Sequence, residues 1–167
     1  GNAIGLCHHR TVYLPQRHEI DWNFPINVQK LVLSGRYVHL GWLKNPSDKD
    51  YEIADQALKR LGLDKLASRQ ISELSGGQQQ RLLLARAFVQ EPDLYLLDEP
   101  YNAVDTETRE LIKKFLSELK YKGKTLIVST HFIDKIDTEY DQAIYLKDGR
   151  LADAPPPEDH HRCGHEH

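Results

Sequence analysis

Residues Leu74 to Arg81 read Leu-Ser-Gly-Gly-Gln-Gln-Gln-Arg. Thirteen residues after Arg81 an apolar run begins, Leu94-Tyr95-Leu96-Leu97, and it ends in Asp98-Glu99-Pro100. Gly76 and Gly77 let a backbone approach a ligand closely, and a helix opening there turns its N-terminal N–H groups toward an anion. The Ser75 hydroxyl and the Gln78 amide add hydrogen bonds, a set that suits a terminal phosphate. The same Ser-x-x-Gln spacing also makes a plain capping box. The full eight-residue run followed by the acid pair is what favours a ligand over a cap. Adjacent residues at a strand end point to opposite sides, so Asp98 and Glu99 can take different tasks. One carboxylate can hold Mg2+, directly or through water, and the other can orient and polarise an attacking water. A solvated turn ending in Pro100 is the bland alternative, and two acids with no basic partner nearby in sequence speak against it.

The elements that must position these groups are readable from periodicity. Thr11 to Leu14 reads as a short strand stopped by Pro15. Residues 16–42 read as mixed loop and helix. Apolar residues at Ile53, Ala54, Ala57, Leu58 and Leu61 predict a helix over 50–61 stopped by Gly62. The helix after Ser75 is expected to run to about Gln90. Leu94 to Leu97 and Thr125 to Val128 read as buried parallel strands. Between them, Leu111, Ile112, Phe115, Leu116 and Leu119 share one face of a helix over 106–119. A short helix is expected over 132–136 and a third strand over 143–146. Asp148-Gly149 then turns into a hairpin strand at Arg150-Leu151. Strands alternating with helices imply an α/β fold with a largely parallel sheet. Pro155-Pro156-Pro157 reads as a polyproline linker to a polar tail.

Leu-Ser-Gly-Gly-Gln and Leu-Leu-Asp-Glu-Pro together resemble the signature motif and the metal-and-base strand of ABC-type ATPases. The resemblance implies a P-loop-NTPase-type sheet with helices on both faces plus an α-helical signature subdomain, with ATP and Mg2+ as cofactors. It gives Asp98 the metal role and Glu99 that of catalytic base. Tyr13-Leu14-Pro15-Gln16-Arg17 looks like the family's Q-loop, whose glutamine, here Gln16, reaches Mg2+ and the water. His131, in Ser-Thr-His, falls at the switch histidine that contacts the γ-phosphate and catalyses with Glu99 and Gln16. Asp105 falls in the loop that links two ATP sites across a dimer; it is equally placed to cap the following helix. Ser75, Gly76, Gly77 and Gln78 would serve the nucleotide held by the other subunit.

The family's P-loop, Gly-x-x-x-x-Gly-Lys-Ser/Thr, is not found in these residues. Gly123-Lys124-Thr125 is a decoy: the residue five before Gly123 is Glu118, and the tripeptide leaves a helix to enter a strand. Gly123 reads instead as a helix C-cap. A chain that begins at Gly1 and holds no Met is expected to be a fragment or a processed form, incomplete at its N-terminus. On its own it is expected to bind ATP weakly or not at all. A nucleotide titration giving micromolar affinity would overturn that.

Asp21 to Val28, Gly35 to Trp42 and Arg69 to Ser75 extend the resemblance to the ATP-binding subunits of manganese, zinc and iron importers. It covers about Thr11 to Leu151. It implies the division 1–16 (end of the N-terminal catalytic part with the Q-loop), 17–92 (helical signature subdomain), 93–154 (C-terminal part of the catalytic core) and 155–167 (tail). The implied partners are an integral-membrane permease, a second ATPase subunit packed head to tail and, indirectly, a substrate-binding protein. The implied place is peripheral, on the cytoplasmic face of the membrane. Trp22, Phe24 and Trp42 are either permease anchors or subdomain core. The net charge of -3 gives no basic footprint for nucleic acid. Cys7 and Cys163 make no disulfide framework. His160, His161, Cys163, His165 and His167 are either a metal-responsive tail or a polar terminus that binds metal adventitiously. The rivals are a soluble ABC-type ATPase of DNA repair or translation and a non-catalytic metal-binding fragment.

Overall fold

The computed structural model describes residues 10–40, 44–131 and 139–152. The chain divides into two compact units, Gly1–Thr130 and His131–His167. In the first, β1 (Thr11–Leu14), β2 (Leu94–Asp98) and β3 (Thr125–Ser129) form a parallel sheet in the order β1-β2-β3. The register pairs Leu14 with Leu97 and Asp98 with Ser129, so the carboxyl ends of β2 and β3 finish level.

Alternation along the strands separates two faces. Val12, Leu14, Tyr95 and Leu97 are buried in the hydrophobic core, while Tyr13 and Ile127 stand 54% and 56% exposed on the opposite face. The apolar run of β3 is therefore not buried on both sides as its composition suggests. Among the described residues helices cover only one face, and β3 forms an edge.

Among the described residues four α-helices carry most of the remaining core: α1 (Val28–Ser34), α2 (Asp48–Arg60), α3 (Gly76–Phe88) and α4 (Thr106–Tyr121). The α2 helix starts two residues before the expected Asp50. The Ser47 amide and hydroxyl both donate to the Asp50 carboxylate and fix an earlier first turn. Gly62, at φ +65°, lets the chain leave that helix. Leu82, Leu83, Leu84, Ala85 and Ala87 are all buried, so α3 is apolar around most of its girth and packs centrally, against α1, α2 and β1. It ends at Phe88, short of Gln90, as the chain turns through Glu91 at φ +49°. Gly35 follows α1 where a Cβ would run into the Arg86 carbonyl and lie 2.6 Å from Val89 Cγ2, so glycine there permits the close approach to α3.

α4 begins at its Asp105 cap, and Gly123, at φ +75°, follows its last turn, as the decoy reading requires. In the second unit β4 (Tyr145–Lys147) pairs antiparallel with β5 (Arg150–Ala152). The hairpin around Asp148-Gly149 is present. The strand expected over 143–146 starts later, at Tyr145, and its ladder is this hairpin, because the tight turn supplies an adjacent partner. The helix expected over 132–136, Trp42, both cysteines and the tail lie outside the described residues.

Candidate active site

Strand β1 stops at Leu14 because Pro15 cannot donate to a ladder, and the chain then bends through a 3-10 turn at Arg17–Glu19. The turn is tied at both ends. The Gln16 amide donates to Glu19 Oε1 at 3.3 Å, and the Trp22 indole donates to the Arg17 carbonyl at 2.9 Å. This delivers Gln16 to the end of the neighbouring strand, where its Nε2 donates to Asp98 Oδ2 at 2.9 Å across 82 positions of sequence. Two of the residues singled out in the sequence are thus in direct contact.

The other Asp98 oxygen, Oδ1, accepts from the Ser129 hydroxyl. The Ser129 and Gln16 hydrogen bonds, with a further one from Tyr13, hold the Asp98 carboxyl below the usual carboxylate range. Partial desolvation and the charges of Glu19 and Asp98 push the half-exposed Tyr13 phenol up. Asp98 is therefore an anion at neutral pH with both oxygens fixed. Glu99 sits just past the strand with its backbone at φ +46°, a left-handed conformation that costs a non-glycine residue about 1–2 kcal/mol. Its amide donates to both the carbonyl (3.1 Å) and the hydroxyl (3.2 Å) of Ser129, which holds the turn. Tyr13 and Ser129 escape a linear reading, because their link to Asp98 runs through strand register.

At the start of α3 the capping box is present. The Ser75 amide donates to Gln78 Oε1 at 2.9 Å and the Gln78 amide to Ser75 Oγ at 3.4 Å. Gly76 faces the Arg17 guanidinium, which a Cβ there would strike. A Cβ at Gly77 would lie 2.9 Å from Thr108 Oγ1 and 3.3 Å from Asp105 Oδ2. The second glycine therefore lets the start of α3 pack on the start of α4, bringing Asp105 beside the glycine pair. Asp105 is the N-cap of α4: its Oδ1 accepts from the Thr108 amide at 2.8 Å, the main cause of its lowered pKa.

His131 lies two residues after β3 and is exposed, the first residue of the second unit. Trp22 packs half-buried against the core, whereas Phe24 is 58% exposed. The described residues hold no cluster of three or more His, Cys, Asp or Glu side chains fit for a metal ion, and no helix among them is long and apolar enough to cross a membrane. The Asp98 carboxylate and the Gln16 side-chain carbonyl are nonetheless oxygen donors of the kind a hard divalent cation takes together with phosphate oxygens.

A family model described as ABC transporter matches residues 3–102. The chain is 44% identical over 146 residues to the manganese transport system ATP-binding protein MntB of Bacillus subtilis, covering 87% of this chain and 58% of that protein. It is 44% identical over 146 residues to the zinc transport system ATP-binding protein TroB of Treponema pallidum, covering 87% and 55%. Among solved structures, CbiO1 of Clostridium perfringens, part of the ABC transporter complex CbiONQ, superposes with a TM-score of 0.67 at 30% identity, covering 86% of this chain and 55% of that one. The chain thus spans little more than half the length of the relatives it matches.

Proposed function

The chain belongs to the ABC transporter family, and from that premise we propose that it acts within an ATP-binding, ATP-hydrolysing subunit that powers import of a metal ion through a membrane permease. The observation that carries this reading is the Gln16–Asp98 hydrogen bond at the strand ends, with Glu99 next in the chain. The names of the relatives point to manganese, zinc or iron as the cargo.

In the proposed mechanism Asp98 and Gln16 would hold Mg2+, which would supply charge neutralisation to the phosphates of the bound nucleotide. Glu99 orients the attacking water and takes its proton. His131, on the strength of its place after β3, donates to a γ-phosphate oxygen. Ser75, Gly76, Gly77, Gln78 and the amides opening α3 face a terminal phosphate held by a second subunit, and Asp105 helps join the two sites. ATP then holds two subunits together, hydrolysis releases them, and the loop at Gln16 passes the motion to the permease. This places the chain peripherally on the cytoplasmic face of the membrane.

Affinity purification through this chain from detergent-solubilised cells tests the proposal. The expected companion is an integral-membrane permease. Recovery with ribosomes or nucleic acid in its place would transfer the chain to the DNA-repair or translation class.

A further inference from the structure

The acid pair of the proposed ATPase site is held by Ser129, to which its motifs give no role. Asp98 and Ser129 are register partners at the ends of adjacent parallel strands, so their side chains leave the same face of the sheet. A hydroxyl has one proton to give and two lone pairs. Ser129 spends the proton on Asp98 Oδ1 and offers a lone pair to the Glu99 amide at 3.2 Å. Its carbonyl takes the same amide at 3.1 Å. One residue thereby grips the side chain of the first acid and the left-handed backbone of the second.

We propose that Ser129 is a positioning residue whose hydroxyl bridges Asp98 and Glu99 and fixes the orientation of one carboxylate against the other. The two grips on Asp98 differ in kind. Gln16 sits on a loop beyond Pro15, so its amide can exchange partners without disturbing the sheet. Ser129 sits within the ladder, so its backbone stays beside Asp98 as long as the register of β2 and β3 holds. It therefore keeps one Asp98 oxygen engaged while the oxygen facing Gln16 changes partner. The hydroxyl also lowers the cost of holding Glu99 at φ +46°, a conformation that persists only where its surroundings over-determine it. The importance of the acid pair rests on the ATPase reading; the bridge itself rests on the geometry alone.

Ser129→Thr and Ser129→Val make a matched pair, because both are β-branched, suit a strand and differ only in the hydroxyl. Amide hydrogen exchange followed by NMR on the 167-residue chain, without nucleotide, reads the bridge. The valine variant is expected to exchange its Glu99 amide about tenfold faster than wild type, in line with one lost hydrogen bond. Tyr95 and Leu97 should stay within about twofold, and threonine should restore Glu99 to wild-type protection. Equal Glu99 protection in the two variants would overturn the proposal, as would a valine effect spread evenly along β2. Because no nucleotide is present, failure of the ATPase reading would leave this result standing, and failure of the bridge would leave the ATPase reading untouched.

Discussion

Glu99→Gln is expected to lower ATP turnover by the proposed transporter by about 100- to 10,000-fold, the span typical of losing a general base. The substitution keeps the side chain's size and reach, and it removes the charge and the capacity to take a proton by putting an NH2 donor in place of one carboxylate oxygen. The backbone should not respond, because the Glu99 amide is held by the Ser129 carbonyl and hydroxyl whatever the side chain. Nucleotide affinity should therefore persist while phosphate release fails, and two subunits should stay joined around unhydrolysed ATP. Asp98→Asn makes the contrasting variant: it discharges the group that Gln16, Ser129 and Tyr13 hold as an anion, so metal-dependent nucleotide binding should weaken along with turnover. Steady-state phosphate release and a nucleotide titration on the permease complex separate the two. Wild-type turnover in Glu99→Gln would take the base role from Glu99, and weakened binding without a loss of turnover would assign it to the metal.

The residues of this site were legible to unequal degrees, and the reason is the range of the interaction that places each one. Ser75–Gln78 and Asp105 announce themselves because caps are local: acceptor and amide lie three residues apart, and both bonds are present. The helices follow from periodicity, with errors where a cap was overlooked, as when Ser47 pulled the start of α2 back to Asp48. Gln16 could be singled out only by resemblance, since nothing local tells one Pro-Gln from another, and its contact with Asp98 depends on β1 and β2 lying side by side. Ser129 was out of reach for the same reason, as no spacing encodes register. The run at Thr125 to Val128 looked like a strand buried on two faces, but composition records what a strand is suited to and not which face has a neighbour; Ile127 stands exposed. Arg36 lay inside a segment noted for resemblance alone, although a cation among apolar helical residues was itself a sign of a buried partner.

That partner makes the second large effect. Asp50→Ala is expected to destabilise the fold by about 3–5 kcal/mol, the usual result of stripping one member from a buried ion pair. Arg36 is 7% exposed and Asp50 5%, with Arg36 Nε donating to Asp50 Oδ1 at 2.9 Å. Arg36 Nη1 donates to the Val89 carbonyl at 2.7 Å and to Glu91 Oε2 at 2.8 Å. One guanidinium thus ties the turn after α1 to the first turn of α2 and the end of α3. Glu91 cannot stand in for Asp50, because its side chain is 57% exposed and its charge is screened by water. Alanine would also remove the acceptor for the Ser47 amide and hydroxyl, undoing the start of α2. Against a total stability of about 5–15 kcal/mol for an ordinary domain, that loss is severe. The pH dependence identifies the cause. The Ser47 hydrogen bonds first, and then the Arg36 contact, lower the Asp50 pKa from 3.8 to about 2. The folded value lies below the unfolded one, so the stabilisation is fully present above 3.8 and is lost as pH falls through about 2. Urea unfolding of wild type and Asp50→Asn should differ most at neutral pH and converge toward pH 2. A gap that stayed constant over that range would mean that Asp50 stabilises the fold by packing and capping, without its charge.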